Sequence, residues 1–398
     1  MTAADVAPLR VLVLDQGAGL WGAQRHILRL RPLLEARGIT LTLGCPDTLQ
    51  QYGEWERLGL PVVPLDLPID RAIRAGGRFS ATRLLHELHR TTRAQAVVRA
   101  AVDAGAFDMV LANSHWTHVD SALARTLGAP PTLGLLHEET AGGVASWMRG
   151  KAVEHMDAAV AVSKTVADRL PAKARAHTVV IPNAVDTSVY RPGPAPAQRA
   201  ELRARLGLPI SGTLIFAATR IDPAKRIEDL ITMAAGLHDA TLLIAGTTSC
   251  SNSYEAEMTV RADGTHGRVR LLGARNDVAQ ILQAVDVSVH AGTVEGMSLG
   301  LLEAQAAGLP VVAYDAAGVR EVVVDEVTGS IVAPYDVDRL GRSVQRLVND
   351  GRLRARWGQA ARRRAVAQFD IQRQADAIAR IIRDHAHALD DAERRTAS

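Results

Sequence analysis

Cysteine is nearly absent: the 398 residues hold only Cys45 and Cys250, far apart in sequence. That excludes a disulfide framework and a cysteine-based zinc site, and it predicts a cytoplasmic protein. Aromatic residues make up 4% of the chain, too few for a stacking platform that grips single-stranded nucleic acid. No run approaches the roughly 20 apolar residues of a membrane span. The first residues show no basic start followed by an apolar stretch, so no secretory signal is expected. Charge of either sign is not in excess, the formal net being +3. This mild basic bias suits a polyanionic ligand or an anionic membrane surface and is only weak evidence for nucleic acid, which the scarcity of aromatics leaves unexpected as a partner. No short-period repeat occurs.

What is present is ordinary globular material, 47% hydrophobic and 22% charged. The length exceeds one typical core, so two domains are expected. Short apolar runs alternate with helical spacing in both halves, the pattern of an α/β protein with parallel sheets. In the first half, strands are predicted at 9–14, 39–43, 61–65, 107–112, 132–136, 158–162 and 178–181. In the second half they are predicted at 213–217, 241–245, 269–272, 285–289 and 311–314. Residues 183–196 carry Pro192, Gly193, Pro194 and Pro196 and read as the interdomain linker. Thr328-Gly329 reads as a turn. The last amphipathic helix is predicted over 371–387.

The stretch 295–310 organises the second half. Glu295 and Glu303 bracket the small-residue turn Gly296-Met297-Ser298-Leu299, which feeds an apolar helix closed by Gly308 and Pro310. Ser298 is the expected N-cap, and helix N-termini beside glycine attract phosphate. Glu303, about one turn into that helix, suits sugar hydroxyls better than phosphate. Taken alone, Glu295 would be a solvated loop residue and Glu303 a surface position. They are not alone. After the strand at 213–217 come Arg220, Asp222, Pro223 and Lys225. Asp222 reads as an N-cap and Pro223 as the first helical residue, so Arg220 and Lys225 flank a helix start and form a pyrophosphate clamp. The combination points to a molecule with both phosphate and sugar hydroxyls, such as a nucleotide-sugar.

The first half offers polar residues at strand ends, where ligands gather in parallel α/β sheets. Asn113, His115 and His118 follow one strand; His137, Glu138 and Glu139 follow another. Two histidines three apart without a third ligand make a weak metal site, and lining a cleft is the preferred role. Gly17, Gly19 and Gly22 fit the dinucleotide fingerprint formally. However, Asp15 and Gln16 separate the first glycine from its strand, and no clear acid ends the second strand. The segment 71–99 is strongly basic and carries Leu84, Leu85 and Leu88. Such a helix either lies on an anionic membrane surface as a peripheral contact or packs its stripe and leaves its arginines in water.

Together these features resemble the retaining glycosyltransferases of family 4, the group 1 or glycogen synthase-like enzymes of GT-B fold. The resemblance spans nearly the whole chain. In the second half it rests on Glu295-x7-Glu303, the Arg220/Lys225 pair, Leu271-Leu272-Gly273 with Asp277, and Thr328-Gly329. In the first half it rests on Gly22-Ala23-Gln24-Arg25, Val162-Ser163 and Ile181-Pro182-Asn183. It implies two Rossmann-like domains facing across a cleft: an acceptor domain at 1–188, a donor domain at 189–368, and a tail at 369–398 whose helix crosses back.

It also implies a metal-independent, retaining hexosyltransferase with no cofactor beyond its donor, a UDP- or GDP-sugar. Catalytic roles would fall to Glu295, His137, Arg220 and Lys225. Donor contacts would come from Gly22, Arg220, Lys225, Gly273, Ala274, Glu295, Gly296, Met297, Ser298, Leu299 and Glu303. The acceptor is a carbohydrate, a lipid-linked sugar or a small molecule, and the oligomeric state is open. Ala184, His290-Ala291 and Met297 depart from the family pattern and leave the donor sugar open. Three rival readings stand beside this one. They are an NAD-dependent oxidoreductase built on 17–22, a nucleotide-sugar sensor without turnover, and a sugar-nucleotide epimerase that needs no acceptor.

Overall fold

The computed structural model describes residues 7–17, 19–67, 81–138, 143–248 and 252–396. The chain divides into two compact units, Met1–Pro182 with Gln372–Ser398, and Asn183–Ile371.

The first unit is built on strands β1 (Leu9–Leu14), β2 (Ile39–Cys45), β3 (Val62–Pro64), β4 (Met109–Ala112), β5 (Thr132–Leu136), β6 (Ala158–Ala161) and β7 (Thr178–Val180). They form one sheet in the order β3-β2-β1-β4-β5-β6-β7. Every pairing is parallel, with Leu9 opposite Ile39 and Val11 opposite Met109. Parallel strands carry helices on both faces, so they read as unbroken apolar runs. Val11, Leu12, Val13 and Leu14 are accordingly all buried. The strand order reverses at β1, whose neighbours are β2 and β4. Such a reversal opens a crevice at the carboxyl ends of the strands.

The second unit repeats the scheme with β8 (Thr213–Ala218), β9 (Ala240–Ala245), β10 (Val269–Leu271), β11 (Val287–His290), β12 (Val311–Tyr314) and β13 (Gly329–Val332). Their order is β10-β9-β8-β11-β12-β13, again all parallel, with the reversal at β8. A large apolar core joins Ile215, Leu242, Val289, Tyr314 and Trp357. The two-sheet α/β architecture read from the sequence is present, with one addition. β13 occupies the place where Thr328-Gly329 read as a turn. A Cβ at Gly329 would lie 2.0 Å from the Val311 carbonyl oxygen, so glycine is there for close strand packing and not for a bend.

The expected linker is tied down on the second unit. Val185 donates to Phe369 O at 2.9 Å and accepts from Ile371 N at 3.1 Å. Pro196 opens the helix Pro196–Arg205 at its first position, where its missing N–H costs nothing.

The last helix, Ile371–Thr396, runs past the expected end at 387 and belongs to the first unit from Gln372 onward. It buries Ala375, Ile378, Ala379 and Ile382, each isoleucine contributing roughly 1.5–3 kcal/mol. Gln374 donates to Pro182 O at 2.8 Å and Arg37 pairs with Asp376 at 2.7 Å.

Of the basic segment 71–99, Arg71, Arg74 and Arg78 lie outside the described residues, as do the side chains of Arg83, Leu84 and Leu88. The helix Ala81–Gly105 packs Ala94, Val98 and Val102 into the core, while Leu85 is exposed. Arg93 pairs with Asp66, and Arg99 with Asp103 at 3.1 Å. Cys250 and Glu139 also lie outside the described residues. Among the described residues, no helix is long and apolar enough to cross a membrane.

Candidate functional site

The strand reversal of the second unit places the loops after β8 and β11 side by side. The first carries Lys225, the second Glu295, and the two side chains form an ion pair. His290, the last residue of β11, puts Nε2 2.9 Å from the same Glu295 Oε1. Lys225 Nζ also lies 3.5 Å from Val294 O. The three side chains are 12%, 10% and 6% exposed. Burial alone would push the Glu295 carboxyl up. The Lys225 ammonium and then His290 outweigh it and hold the carboxyl below its ordinary range. Gly292 makes room for this triad, since a Cβ there would lie 2.6 Å from His290 Nε2 and 2.8 Å from Glu295 Oε1. His290 was not among the residues expected at the site; its position at a strand's carboxyl end was the available signal.

The helix after this loop is Leu299–Ala306. Ser298 occupies the N-cap position, but its hydroxyl makes no capping bond. The turn before it is held by backbone contacts. Asn183 donates to Met297 O at 3.0 Å. Gly318, at φ +73°, lets its chain approach Gly296 so closely that a Cβ would lie 2.0 Å from Gly296 O. A Cβ on Gly300 would lie 3.0 Å from Ala218 O, so this helix sits against the end of β8. Glu303 is 7% exposed, which rules out a surface position. Beside it the buried Gln305 donates to Thr328 Oγ1 at 3.1 Å.

The 219–226 loop departs from expectation. Pro223–Lys225 is a single 3-10 turn, and Arg226 takes the left-handed conformation at φ +51°. The α-helix starts only at Ile227. Asp222 makes no capping bond; it pairs with Arg220 at 2.9 Å. The helix start is complemented by its own acids, Glu228 and Asp229, which pair with Arg226 at 2.6 and 2.9 Å. The two expected clamp cations therefore share a loop, but not a helix N-terminus, and each has its own carboxylate. Gly273, at φ +64°, and Ala274 follow β10. Gly273 O accepts from Gly246 N at 2.9 Å, which joins the ends of β10 and β9.

In the first unit the strand ends converge on Asp15. Asn113 Nδ2 donates to Asp15 Oδ2 at 2.5 Å across the β1/β4 reversal, and His137 Nε2 lies 2.8 Å from Asn113 Oδ1. Because the Asn113 amide nitrogen is committed to Asp15, its oxygen accepts and His137 Nε2 carries the proton. Nδ1 then keeps the lone pair. Burial pushes the imidazole down to about 4, so it is neutral. Burial also pushes the Asp15 carboxyl up, against its bonds from Gly17 N, Asn113 and Gln24. Gly22 begins the helix Gly22–Glu35 and is exposed.

The glycine loop does not present a dinucleotide cradle. Gly17 N donates to Asp15 at 2.6 Å, and a Cβ at Gly17 would lie 2.3 Å from Gln24 Nε2. The loop is thus filled by the chain's own side chains. The two histidines after β4 part company: His118 Nε2 bonds Leu135 O at 2.9 Å, while His115 lies 3.7 Å from Glu138. Among the described residues no three His, Cys, Asp or Glu side chains gather as a metal site.

Comparison with known proteins identifies the family. The model of glycosyltransferase family 4 matches residues 21–189, and that of glycosyl transferases group 1 matches residues 198–364. The D-inositol 3-phosphate glycosyltransferase of Mycobacterium leprae is 35% identical over 205 residues, 49% of this chain and 46% of that protein. The chain thus spans about half the length of such relatives. The alpha-D-kanosaminyltransferase of Streptomyces kanamyceticus is 24% identical over 90% of this chain and 99% of its own length. Among solved structures, Anabaena Alr3699/HepE in complex with UDP-glucose superposes with a TM-score of 0.79. It is 22% identical and covers 94% of this chain and 100% of that one. Sucrose-phosphate synthase from Thermosynechococcus elongatus gives a TM-score of 0.77 at 19% identity, over 96% and 100%. With family models matched in both halves and GT-B structures aligned along nearly its whole length, the chain belongs to the family 4, group 1 glycosyltransferases.

Proposed function

We propose that the chain moves a sugar from a nucleoside-diphosphate sugar, UDP-linked in the first instance, to an acceptor hydroxyl, with retention of anomeric configuration and without a metal. The observation that carries the reading is the Lys225–Glu295 pair at the β8/β11 reversal, next to the turn before Leu299. Complexes of the Anabaena neighbour with UDP and with UDP-glucose support uridine over guanosine in the donor.

When the sugar–phosphate bond breaks, negative charge grows on the diphosphate. In this reading Lys225 and Arg220 turn from their carboxylates to the phosphates. The amides of Gly296, Met297, Ser298 and Leu299 add fixed dipoles, aimed before the reaction begins. Glu295, freed from Lys225, takes hydroxyls of the transferred sugar, with His290 keeping it ionised. Glu303 accepts from the ribose, and Gly273 and Ala274 meet the base. In the first unit Gly22 serves the phosphates and His137 offers its Nδ1 lone pair to the sugar. The second unit binds donor and the first binds acceptor. Holding both substrates supplies orientation.

A thermal-shift screen of UDP-, GDP-, ADP- and dTDP-sugars, with NAD as control, tests the donor. A UDP-sugar should raise the melting temperature, and Lys225→Ala should remove the rise. A response to NAD alone would sink the proposal, and donor binding without turnover on any acceptor would reduce the protein to a sensor. The anomeric proton coupling of the product decides retention.

A further inference from the structure

Two buried arginines of this protein are treated in opposite ways. Arg203, in the second unit, has every guanidinium nitrogen satisfied: Nε by Ala284 O, Nη1 by Gly212 O and Nη2 by Asp286, at 2.7, 3.0 and 2.7 Å. Arg149, in the first unit, is 3% exposed and has one bond, from Nη1 to Glu138 O at 2.8 Å. Its Nε and Nη2 are buried without any partner. The Glu138 carboxylate points instead to His115, 3.7 Å away. A buried cation left short of an anion is costly, and natural chains keep one only where something else pairs with it.

A second unpaired atom borders the same strand end. His118 bonds Leu135 O through Nε2 at 2.9 Å, so Nε2 carries the proton and Nδ1 holds a lone pair. That Nδ1 is buried and has no partner. Leu135 and Glu138 bracket the carboxyl end of β5, the strand that also delivers His137. The unpaired Nε–Nη2 edge of a guanidinium is the one that grips an oxyanion with two parallel bonds.

We propose that the end of β5 is an acceptor subsite: Arg149 takes an oxyanion on the acceptor, and His118 Nδ1 receives a hydroxyl of the same molecule. The acceptor class is then a hydroxylated small molecule bearing a phosphate or carboxylate, and not a neutral glycan. This rests on the transferase reading for the word acceptor, but not for the anion site itself.

The test is thermal shift on the full chain, with UDP saturating so that the donor side is filled and ionic strength matched with chloride. The probes are inorganic phosphate, glucose 6-phosphate, glucuronate and glucose. The wild type should respond to the anionic probes by several degrees more than to glucose, and the phosphate and glucuronate arms separate the two oxyanions. Arg149→Met should melt no lower than wild type without ligand, keep its UDP shift and lose the anion shift. Lys225→Ala should do the reverse with UDP and keep the anion shift. Anionic probes no better than glucose, or an undiminished anion shift in Arg149→Met, overturn the site. Should Arg149→Met fail to fold, Arg149→Lys decides: loss of at least half the anion shift supports the subsite, and an unchanged shift overturns it. Absence of any UDP shift in the wild type would sink the donor reading while leaving the anion result to stand or fall separately.

Discussion

Lys225 and Glu295 meet as an ion pair across 70 residues of sequence, and His290 reaches the same carboxylate oxygen from 2.9 Å. Removing the lysine leaves a buried carboxylate with only an imidazole beside it. Lys225→Ala should therefore destabilise the second unit by about 3–5 kcal/mol as well as abolish donor binding. Adding Glu295→Gln should recover much of the stability and none of the binding. Urea unfolding of the two single variants and the double variant checks this, and strictly additive losses would refute the coupling.

Glu295 also sets part of the acid response. Its carboxyl is held below the ordinary value in the folded chain, so it stabilises above the unfolded value. That contribution drains away as pH falls below about 4.3. Glu295→Gln should melt lower than wild type at pH 7, with the gap narrowing steadily as pH falls below about 4. A constant gap would show that the ion pair does not titrate.

His137 works in a higher window. Its folded value is about 4, below the unfolded value near 6.5, so the unfolded chain takes the proton first. Stability should fall as pH drops from about 6.5 to about 4, by up to about 3 kcal/mol, less the screening its partial exposure allows. His26, pushed down to about 3 by burial, acts in the same direction. His137→Gln should flatten this limb in chemical unfolding at pH 7 and pH 5. An unchanged slope would mean that the imidazole is not held neutral.

Gly318 controls the turn at Gly296 by backbone contact, not by charge. At φ +73° and with Gly296 O 2.0 Å from a built Cβ, Gly318→Ala is strained twice. A loss of about 1–3 kcal/mol and at least tenfold weaker UDP binding are expected. Asn183→Ala, which frees Met297 O, should cost about 1 kcal/mol and weaken binding less. Calorimetric titration with UDP ranks the two.

If Lys225, Arg220 and the turn amides carry the developing charge, EDTA should leave the transfer rate unchanged. A rate that collapses in EDTA and returns with a divalent ion would end the metal-independent reading.

Much of this was legible because parallel strands buried on both faces are apolar without interruption, as residues 11–14 and Val311–Tyr314 are. Glu295 and Glu303 stood out by spacing from a glycine turn. What escaped was decided by tertiary contact. Asp222-Pro223 has the residues of a helix start, but Arg226 turns left-handed and moves the start to Ile227. Thr328-Gly329 looks like a bend until Val311 O is found against Gly329. The short helix Val278–Ala284 and the polar helix Asn252–Asp263 lack a strong apolar stripe and went unnoticed. His290 read as a family departure and Arg149 had no motif to mark it, since neither burial nor a missing partner can be seen in a string of letters.

The first unit is assembled from the two ends of the chain, Met1–Pro182 and Gln372–Ser398. Synthesis proceeds from the amino end, so the half that begins earliest is completed last. Until the final helix emerges, the surface meant for Ile378 and Ile382 has nothing to cover it, while Asn183–Ile371 can already close on its own core. A chain halted before Ile378 would thus carry a closed second unit and a first unit whose core still lacks its final helix.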